Sequence, residues 1–406
     1  MYVVQPGVTH LKNVTFEDQK IPFMHKTCFI YCPSAEGSLL QEYRQCLKQI
    51  EETCNSGYTP VKLNFFVDVP DFTSFISARS DIYESMTGSF GLRCPAFNVT
   101  CHPPEKPWKV AVEGSFIFSG TAKVTGKMFG GIPYVLLENG SFRELWAAGV
   151  SSYSYPDDTG KAAEHAFELM VALLHNEKMT LNNLVRQWNY IGNILEVRNG
   201  FQNYQVFNEV RCEYYGRHRK IAGFPAATGV GMRHGGVILD FCAMDSSDGK
   251  LKIKAVCNPN QVNAYEYGQH VLKGSVTEGE TKKHPPQFER ALLISGVTGS
   301  LLFISGTASI IGQETIGVGD VAEQTVVTIE NINKLKDNDR ISELLGVTDL
   351  IPGKVSLLRV YIKIREDFGT VKLICEDLFP GIPAIYIEAD ICRDDLLMEM
   401  EAEYIF

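Results

Sequence analysis

A single carboxylate, Glu314, lies in the apolar stretch ISGTASIIGQETIG that runs from Ile304 to Gly317. Its neighbours are glycines, small hydroxyl residues and isoleucines, a setting that is unusual for a surface loop and also for a core strand. If the isoleucines surround this side chain, loss of hydration raises its pKa and produces an acid that stays protonated near neutral pH. The alternative is a structural glutamate that binds backbone N–H groups or caps the helix expected to begin near Asp320.

Several arginines lie where an unpaired charge is costly. Arg359 lies inside the apolar run SLLRVYI. Arg211 belongs to an expected helix and is separated from three polar residues by spacings that place them near one face, namely Tyr204, Asn208 and Tyr215. Arg233 and Arg290 are further candidates. Each arginine needs an anionic partner, which is either an acid of the same chain or a bound carboxylate that its planar fork contacts bidentately.

Composition is that of a globular protein, since 45% of the 406 residues are hydrophobic and 21% are charged. The net charge of -10 and the absence of a basic run argue against a nucleic-acid surface. No apolar stretch approaches the roughly 20 residues that span a bilayer, and the N-terminus lacks the apolar core of a signal peptide. We therefore expect a cytoplasmic protein with no membrane contact.

The eleven cysteines are scattered and odd in number, which is typical of buried thiols in a reducing compartment. The sequence has no CxxC and no paired histidines at ligand spacing, so we expect no metal. The glycine-rich GFPAATGVGM lacks the GK[ST] of a phosphate-binding loop, and it does not follow the order of a dinucleotide site. We expect no cofactor.

One order of elements recurs three times along the chain. It consists of a hairpin, a long amphipathic helix, an apolar strand, a second helix, a Pro-Ala dipeptide and two strands around a polar turn. The Pro-Ala dipeptides begin at Pro95, Pro225 and Pro383. In the long helix of the first copy, Leu40, Tyr43, Leu47 and Ile50 fall on one face. The alternative is chance similarity among ordinary segments.

This repeat predicts an α+β fold built from tandem units. Residues 1–125 form the first and most degenerate unit, residues 126–245 the second, and residues 288–406 the third. Between the last two lies a polar segment, residues 246–287, which contains DSSDGK, TEGETKK and HPP. Its composition indicates an insertion or linker rather than another core unit.

The repeated unit resembles the YjgF/RidA superfamily. That resemblance implies small α+β units packed around a threefold axis, with ligand sites in the clefts between neighbouring units. Three copies in one chain would make an intramolecular pseudo-trimer, so we expect a monomer.

The second and third copies also resemble the chorismatases, which are enzymes that hydrolyse chorismate. The motifs that carry this resemblance are YQVFNEVRCEYY (204–215), GFPAATGVG (223–231), FERALLISG (288–296), SGTASIIGQE (305–314) and ADICRDDLLMEME (389–401). The resemblance implies cleavage of the enolpyruvyl ether of chorismate to pyruvate and a dihydroxycyclohexadiene carboxylate or a hydroxybenzoate, without a metal or cofactor.

This resemblance gives the candidate residues their roles. Protonation of the enol carbon needs a neutral acid, for which Glu314 is the candidate. Arg211 and Arg359 are expected to bind the two substrate carboxylates, with Arg233 and Arg290 as second choices. Tyr204, Tyr215 and Asn208 are expected to contact the substrate. Thr307 is expected to orient water or substrate, although small hydroxyl groups in a tight hairpin usually bind their own backbone.

The sequence departs from the chorismatase pattern at Gln313, where members of the family usually have histidine before the glutamate, and in the first copy, which resembles only the fold.

Two other functions compete. A RidA-like imine deaminase has an arginine directly after the Pro-Ala, whereas this chain has Phe97, Ala227 and Ile385. A non-enzymatic protein that binds a small metabolite would be favoured by a cleft that lacks a protonatable residue.

Overall fold

The computed structural model describes residues 26–151, 153–276, 281–296 and 299–406. They form a mixed α+β fold, as predicted, with three large β-sheets, two short two-stranded sheets and helices packed against the large sheets. The N-terminal segment used to predict localisation lies outside the described residues, as does the beginning of the hairpin predicted for the first copy. None of the described helices is long and apolar enough to cross a bilayer.

The first sheet has the strand order β1-β4-β2-β3. Its elements are β1 (Thr27–Tyr31), α1 (Leu39–Asn55), β2 (Tyr58–Val67), α2 (Phe72–Phe90), β3 (Ala96–Thr100) and β4 (Val110–Phe118). Helix α1 begins where the sequence favours it, because Ser38 and Gln41 form a reciprocal capping box. Tyr43, Leu47 and Ile50 of this helix are buried.

The second sheet has the order β11-β8-β12-β7-β6-β5. Its segment of the chain contains β5 (Lys123–Phe129), β6 (Ile132–Asn139), β7 (Phe142–Val150), α3 (Thr159–Asn176), β8 (Leu184–Gly192), the short strands β9 (Val197–Arg198) and β10 (Phe201–Gln202), α4 (Asn203–His218), β11 (Ala226–Met232) and β12 (Val237–Ser246). Strand β5 runs across the unit boundary predicted at residue 125.

The third sheet has the order β13-β14-β15-β20-β18-β19. Its segment contains β13 (Lys252–Val256), β14 (Ala291–Ser295), β15 (Ser300–Ala308), the short hairpin of β16 (Ile310–Ile311) and β17 (Glu314–Thr315), α5 (Val321–Leu335), α6 (Asn338–Leu345), β18 (Lys354–Ile362), α7 (Phe368–Leu378), β19 (Ala384–Glu388) and β20 (Met398–Ile405).

Four strands have the same order in all three sheets: β1-β4-β2-β3, β7-β12-β8-β11 and β15-β20-β18-β19. In each sheet the last of these strands starts directly after a Pro and runs parallel to its neighbour. A parallel neighbour needs a crossover connection, which the second helix of each copy supplies. These helices are α2, α4 and α7.

The polar segment at residues 246–287 is not only a linker. Strand β13 lies inside it and pairs antiparallel with β14 at the edge of the third sheet. Farther on, the Val262 N–H donates to the Gly312 carbonyl (2.8 Å), and the Gly312 N–H donates to the Asn260 carbonyl (2.7 Å). This segment, called the insertion below, is therefore packed on the third sheet and on the loop that follows β15.

Three buried ion pairs connect the sheets. In each of them, a cation on the central strand of one sheet contacts an acid on the final strand of another: Lys62–Asp240 at 2.8 Å, Arg186–Glu401 at 2.8 Å and Arg359–Glu113 at 2.5 Å. The pairs run in a cycle, from the first sheet to the second, from the second to the third and from the third to the first. All six side chains are at most 5% exposed.

The predicted substrate role of Arg359 is wrong. Its Nε and Nη2 donate to the two carboxyl oxygens of Glu113 (2.5 and 2.6 Å), and its Nη1 contacts Glu401. The guanidinium is thus held by acids of the same chain. This is the first of the two kinds of anionic partner that the sequence allowed, and not a bound carboxylate.

Replacing Arg359 with methionine should lower the free energy of unfolding by about 3–5 kcal/mol, because Glu113 loses its partner in a buried site. Urea denaturation measures this change. The control is Lys123→Met, since Lys123 forms an ion pair with Glu138 at 2.8 Å but is 73% exposed, and pairs of that kind contribute about 0–1 kcal/mol. Equal losses in the two variants would contradict the structural role of Arg359.

Candidate active site

A cavity of about 760 Å³, its open mouth included, lies between the second and third sheets. Strand β11 and the ends of β15 and β20 form its floor, while α4 and the insertion form its sides. The residues that line it include Tyr204, Gln205, Asn208, Arg211, Ala227, Thr228, Gly229, Tyr267, Val271, Leu272, Lys273, Pro286, Arg290, Gly306, Cys392, Arg393 and Glu399.

Helix α4 places three of the predicted residues in this cavity. Tyr204, Asn208 and Arg211 follow one another at spacings of four and three residues, so they share a helix face. The structure thus brings three of the four expected residues of this face together, without Tyr215, and their contacts with a substrate stay predictions. The ring of Tyr204 packs beside Gly229 of β11, where a side chain would approach the ring to 3.3 Å. Burial raises the pKa of Tyr204, so its hydroxyl stays protonated.

Three arginines line the cavity, and each has an N–H donor that is buried without a partner among the described residues. These donors are Nε of Arg211, Nε of Arg290 and Nη2 of Arg393. Other N–H groups fix the side chains. Nη2 of Arg211 donates to Oδ1 of Asn208 (2.6 Å), and Nη1 of Arg393 donates to the Gln313 carbonyl (2.7 Å). Unpartnered buried donors are costly, which favours an anionic acceptor from a ligand.

The charges of the cavity are unequal. Arg211, Lys273, Arg290 and Arg393 oppose one acid, Glu399. This excess of positive charge occurs in a chain whose net charge is -10. A cavity with these charges attracts a small molecule that carries two negative charges more strongly than a neutral one.

Glu399 is the acid of this cavity. Its side chain belongs to β20 and the residue is only 5% exposed. Burial raises its pKa to about 8, although Arg186 and Arg290 act in the opposite direction. Among the described residues, no ion pair or hydrogen bond holds its carboxyl group. Glu399 is therefore mostly protonated at neutral pH and is able to donate a proton to a molecule in the cavity.

The position of Glu399 explains why it has no partner. It occupies the position on the final strand of its sheet that Glu113 and Asp240 occupy in the other two sheets. In the strand register, Glu399 is paired with Tyr361 of β18, Glu113 with Asn64 of β2, and Asp240 with Trp188 of β8. Glu113 and Asp240 each bind a cation of another sheet. In the third sheet, Glu401 takes the matching cation, Arg186, and thereby leaves Glu399 unpaired.

Glu314 is not buried among apolar residues, as its expected role as a neutral acid required. Its side chain is 68% exposed, and Nε2 of His270 lies 3.4 Å from its Oε1. It does not line the cavity. The isoleucines do not bury it, because Ile310 is buried and lines the cavity without Glu314, while Ile311, which pairs with Glu314 in the hairpin, is itself 40% exposed. The expected burial of Glu314 is wrong.

Three further predicted contacts lie elsewhere. Tyr215 donates to Oε1 of Gln187 (2.7 Å) and stacks on Phe224 in the core. Thr307 donates to the Ser305 carbonyl (2.9 Å), as small hydroxyl groups in a tight hairpin usually do. Arg233 forms ion pairs with Asp68 (3.1 Å) and Glu388 (2.5 Å). None of the three predicted side chains lines the cavity.

Sequence reasoning missed Glu399 and Arg393. Both lie in the motif ADICRDDLLMEME, and the run MEMEAE contained a usable signal. Because successive side chains of a strand alternate between faces, Glu399, Glu401 and Glu403 share one face. All three are largely buried in the structure. Three acids on one face of a predicted core strand indicate ion pairs or a functional site.

Gly306 allows Glu399 to occupy its place. A Cβ atom built at Gly306 would overlap Oε1 of Glu399 and approach Cγ2 of Thr228 to 3.2 Å. We expect Gly306→Ala to displace the carboxyl group and lower kcat of the reaction proposed below by about 10- to 100-fold, as misplacement of a catalytic group does. Gly216→Ala is the control, since a Cβ atom built at this position on α4 would have no atom within 4 Å. Equal rates in both variants would contradict the placement of Glu399.

Comparison with known proteins gives the family. Residues 118–243 match a protein-family model described as chorismatase FkbO/Hyg5-like, N-terminal. A 3-hydroxybenzoate synthase of Streptomyces hygroscopicus is 33% identical over 254 residues, which cover 59% of this chain and 68% of that relative. The chain belongs to the chorismatase family. A chorismatase of Streptomyces rapamycinicus is 35% identical over 228 residues, which cover 54% of this chain and 63% of the relative.

The chorismatase fold extends beyond these alignments. A crystal structure of a chorismatase superposes with a TM-score of 0.62 at 21% identity and covers 94% of this chain and 99% of its own. The first copy therefore shares the fold of a chorismatase even though its sequence carries none of the chorismatase motifs. Family membership confirms the resemblance inferred from the motifs of the second and third copies.

Proposed function

We propose that this enzyme hydrolyses the enolpyruvyl ether of chorismate and releases pyruvate with a dihydroxycyclohexadiene carboxylate or a hydroxybenzoate. One observation carries the proposal: a single cavity holds an unpaired acid, Glu399, together with three arginines that each have an unpartnered N–H donor. Chorismate has two carboxylates for the arginines and an enol ether that is cleaved after protonation of carbon. The named relatives support the same substrate.

In the proposed mechanism, Glu399 is the general acid. Its proton passes to the CH₂ carbon of the enolpyruvyl group, which becomes a methyl group, and positive charge develops on the ether-bearing carbon. Water adds to that carbon and returns a proton to the Glu399 carboxylate. The hemiketal then collapses: its hydroxyl group becomes the keto group of pyruvate, the bond from that carbon to the ring oxygen breaks, and the hydroxyl proton passes to the ring oxygen, which leaves as a hydroxyl group of the dihydroxy ring acid. The hydroxybenzoate outcome consumes no water overall, because chorismate contains the atoms of pyruvate and a hydroxybenzoate.

The arginines hold the substrate for this step. Arg211 is proposed to bind one carboxylate, and Arg290 and Arg393 the other, each through the N–H donor that has no partner among the residues the structure describes. Binding at both ends fixes the enol ether between them, where the reacting carbon has to meet the acid. Val271, Leu272 and Pro286 of the insertion cover the apolar ring and limit the entry of water.

A direct assay tests the proposal. Purified protein is mixed with chorismate, pyruvate is followed with a coupled dehydrogenase, and the ring product is identified by chromatography. We expect stoichiometric pyruvate and one ring acid, which distinguishes the dihydrodiol from a hydroxybenzoate. Pyruvate at the spontaneous background rate would overturn the proposal and favour a binding role for the cavity.

The rate should fall in alkaline solution. Because the protonated form of Glu399 is the active one and its pKa is about 8, kcat/KM should be level below that pH and fall about tenfold per pH unit above it. Initial rates between pH 6 and 10 measure this profile, and circular dichroism at each pH shows that the fold persists. A rate that is constant or rises through pH 9 would contradict a neutral acid.

The competing functions have less support. An imine deaminase of the RidA type lacks its arginine here, since Phe97, Ala227 and Ile385 follow the three Pro-Ala dipeptides. A protein that only binds a metabolite does not need an acid whose pKa is raised to about 8 by burial.

The three sheets, we also infer, are units of an internal pseudo-trimer in a monomeric protein. Two observations support this arrangement: the common strand order and the cyclic ion pairs between sheets. The cavity then corresponds to the cleft between the second and third units. Light scattering of the purified protein should give the mass of one chain, and the mass of a dimer or trimer would contradict a monomer.

A further inference from the structure

Tyr267 of the insertion lies between two arginines of the cavity. Its hydroxyl oxygen accepts a hydrogen bond from Nη2 of Arg290 (2.7 Å). The centre of its ring lies 5.5 Å from Cζ of Arg290 and 5.1 Å from Cζ of Arg393. An aromatic ring attracts cations to its face, so one tyrosine holds two guanidinium groups that would otherwise repel each other.

Contacts on both sides of Tyr267 in the sequence hold this segment of the insertion in place. On one side, the Gly268 N–H donates to Oε1 of Gln313 (3.0 Å), so the residue that departs from the chorismatase pattern holds the turn next to Tyr267. On the other side, the Val262 carbonyl accepts from the same Nη2 of Arg290 (2.6 Å). The far end of the insertion is attached to α4, because the His284 N–H donates to Oε1 of Glu209 (3.0 Å).

These contacts leave defined donors free for a ligand. Nη2 of Arg290 is occupied by Tyr267 and Val262, while its Nε has no partner in the described chain. Nη1 of Arg393 is occupied by the Gln313 carbonyl, while its Nη2 has none. Tyr267 and Val262 thus determine which edge of Arg290 remains for a carboxylate, while Gln313 and the Tyr267 ring hold Arg393 beside it.

We propose that Tyr267 is a positioning residue that sets the spacing and orientation of Arg290 and Arg393, and that the insertion thereby makes the cavity selective for dicarboxylates. This inference rests on the proposed function, because it assigns the second carboxylate of the substrate to these two arginines. Arg211, on the opposite side of the cavity, does not depend on Tyr267 and binds the first carboxylate.

Calorimetric binding tests the inference without turnover. The probe is 3-(carboxymethoxy)benzoate, which has two carboxylates and no enol ether, and 3-methoxybenzoate is its match with one carboxylate. Tyr267→Phe should weaken binding of the dicarboxylate roughly tenfold, because Arg290 loses a hydrogen bond to its charged group, and should weaken binding of the monocarboxylate less than about threefold. Tyr267→Leu, which also removes the ring, should weaken the dicarboxylate further.

The matched control is Tyr265→Phe, which removes a hydroxyl from the same insertion. The Tyr265 hydroxyl donates to Oε2 of Glu289 (3.3 Å), and the side chain does not line the cavity, so both affinities should stay unchanged. In an Arg290→Lys background, Tyr267→Phe should have little additional effect, since the two residues act as a unit.

Turnover adds a second readout. Tyr267→Phe should raise KM for chorismate about tenfold and change kcat by less than about threefold, because the acid itself is not touched. Equal weakening of both probes, additive effects with Arg290→Lys, or failure of the wild-type protein to prefer the dicarboxylate would overturn the inference. Absence of pyruvate release by wild-type protein that still prefers the dicarboxylate would overturn the proposed reaction instead.

Discussion

Glu399→Gln is expected to lower pyruvate release from chorismate by about 10²–10⁴-fold, the range that general acid catalysis contributes. Glutamine has nearly the shape of the protonated carboxyl group that burial maintains at this site, but it cannot donate a proton to carbon. The substitution introduces no buried charge, so the free energy of unfolding should change by less than about 1 kcal/mol. Initial rates at pH 7 and urea denaturation measure the two effects.

Glu314→Gln is the matched control for this experiment. Glu314 lies 85 positions earlier in a motif of the same family, but its side chain is 68% exposed and outside the cavity. We expect this variant to keep its rate within about threefold of the wild type. Loss of turnover in Glu314→Gln, together with activity in Glu399→Gln, would reverse the assignment and restore the expectation derived from the sequence.

Arg211→Gln should lower kcat/KM by on the order of 100-fold or more. Arg211 is 1% exposed, its guanidinium is oriented by Asn208, and its Nε has no partner in the described chain. Truncation of one member of a buried charge-assisted contact costs about 2–5 kcal/mol, and here the substrate carboxylate would lose its partner. Most of the loss should appear in KM, which steady-state kinetics over a range of chorismate concentrations separates from kcat.

Arg233→Gln is the control for charge. Arg233 was a candidate from the sequence, but its guanidinium contacts Asp68 and Glu388, and Arg365 contacts the same two acids. Removing Arg233 leaves those acids with a cation, so KM should stay within about twofold. A KM effect as large as that of Arg211→Gln would indicate a general effect of net charge on a dianionic substrate rather than a specific contact.

The sequence predicted the parts of the site that depend on local periodicity. Helical spacing on α4 brought Tyr204, Asn208 and Arg211 together, and the recurring Pro-Ala located the start of a strand, which is β11 on the floor of the cavity. The same reasoning failed for Tyr215, because a residue four positions after Arg211 can face the core and bind Gln187 instead. Periodicity identifies which residues lie near one face of a helix, but not which residues at the edge of that face point into a site and which point into the core.

Long-range partners were beyond the reach of the sequence. Arg359 is paired with Glu113, 246 positions away, and only the packing of the third sheet on the first brings the two together. For Glu314, a short hairpin that turns at Gly312 pairs it with Ile311, and both residues are exposed rather than buried. Glu399 is unpaired because Arg186 of the second sheet binds Glu401 instead. That pairing depends on how the sheets pack on one another, which no local sequence pattern specifies.

The insertion shows a limit of composition. Its polar residues predicted an insertion or linker outside the core units, yet they form an edge strand, cover the cavity and fix Arg290 through Tyr267. Polar side chains are as suitable for binding a charged site as for binding water. Composition alone therefore cannot distinguish a solvated linker from a segment that completes a site.

A crystal structure of Glu399→Gln with chorismate bound would test the account most directly, because an inactive variant should retain the intact substrate. We expect the two carboxylates at Arg211 and at Arg290 with Arg393, and the CH₂ carbon of the enolpyruvyl group within roughly 3.5 Å of the residue 399 side chain, the reach of a proton donor. Chorismate bound with this carbon away from residue 399, or at Glu314 outside the cavity, would contradict the account.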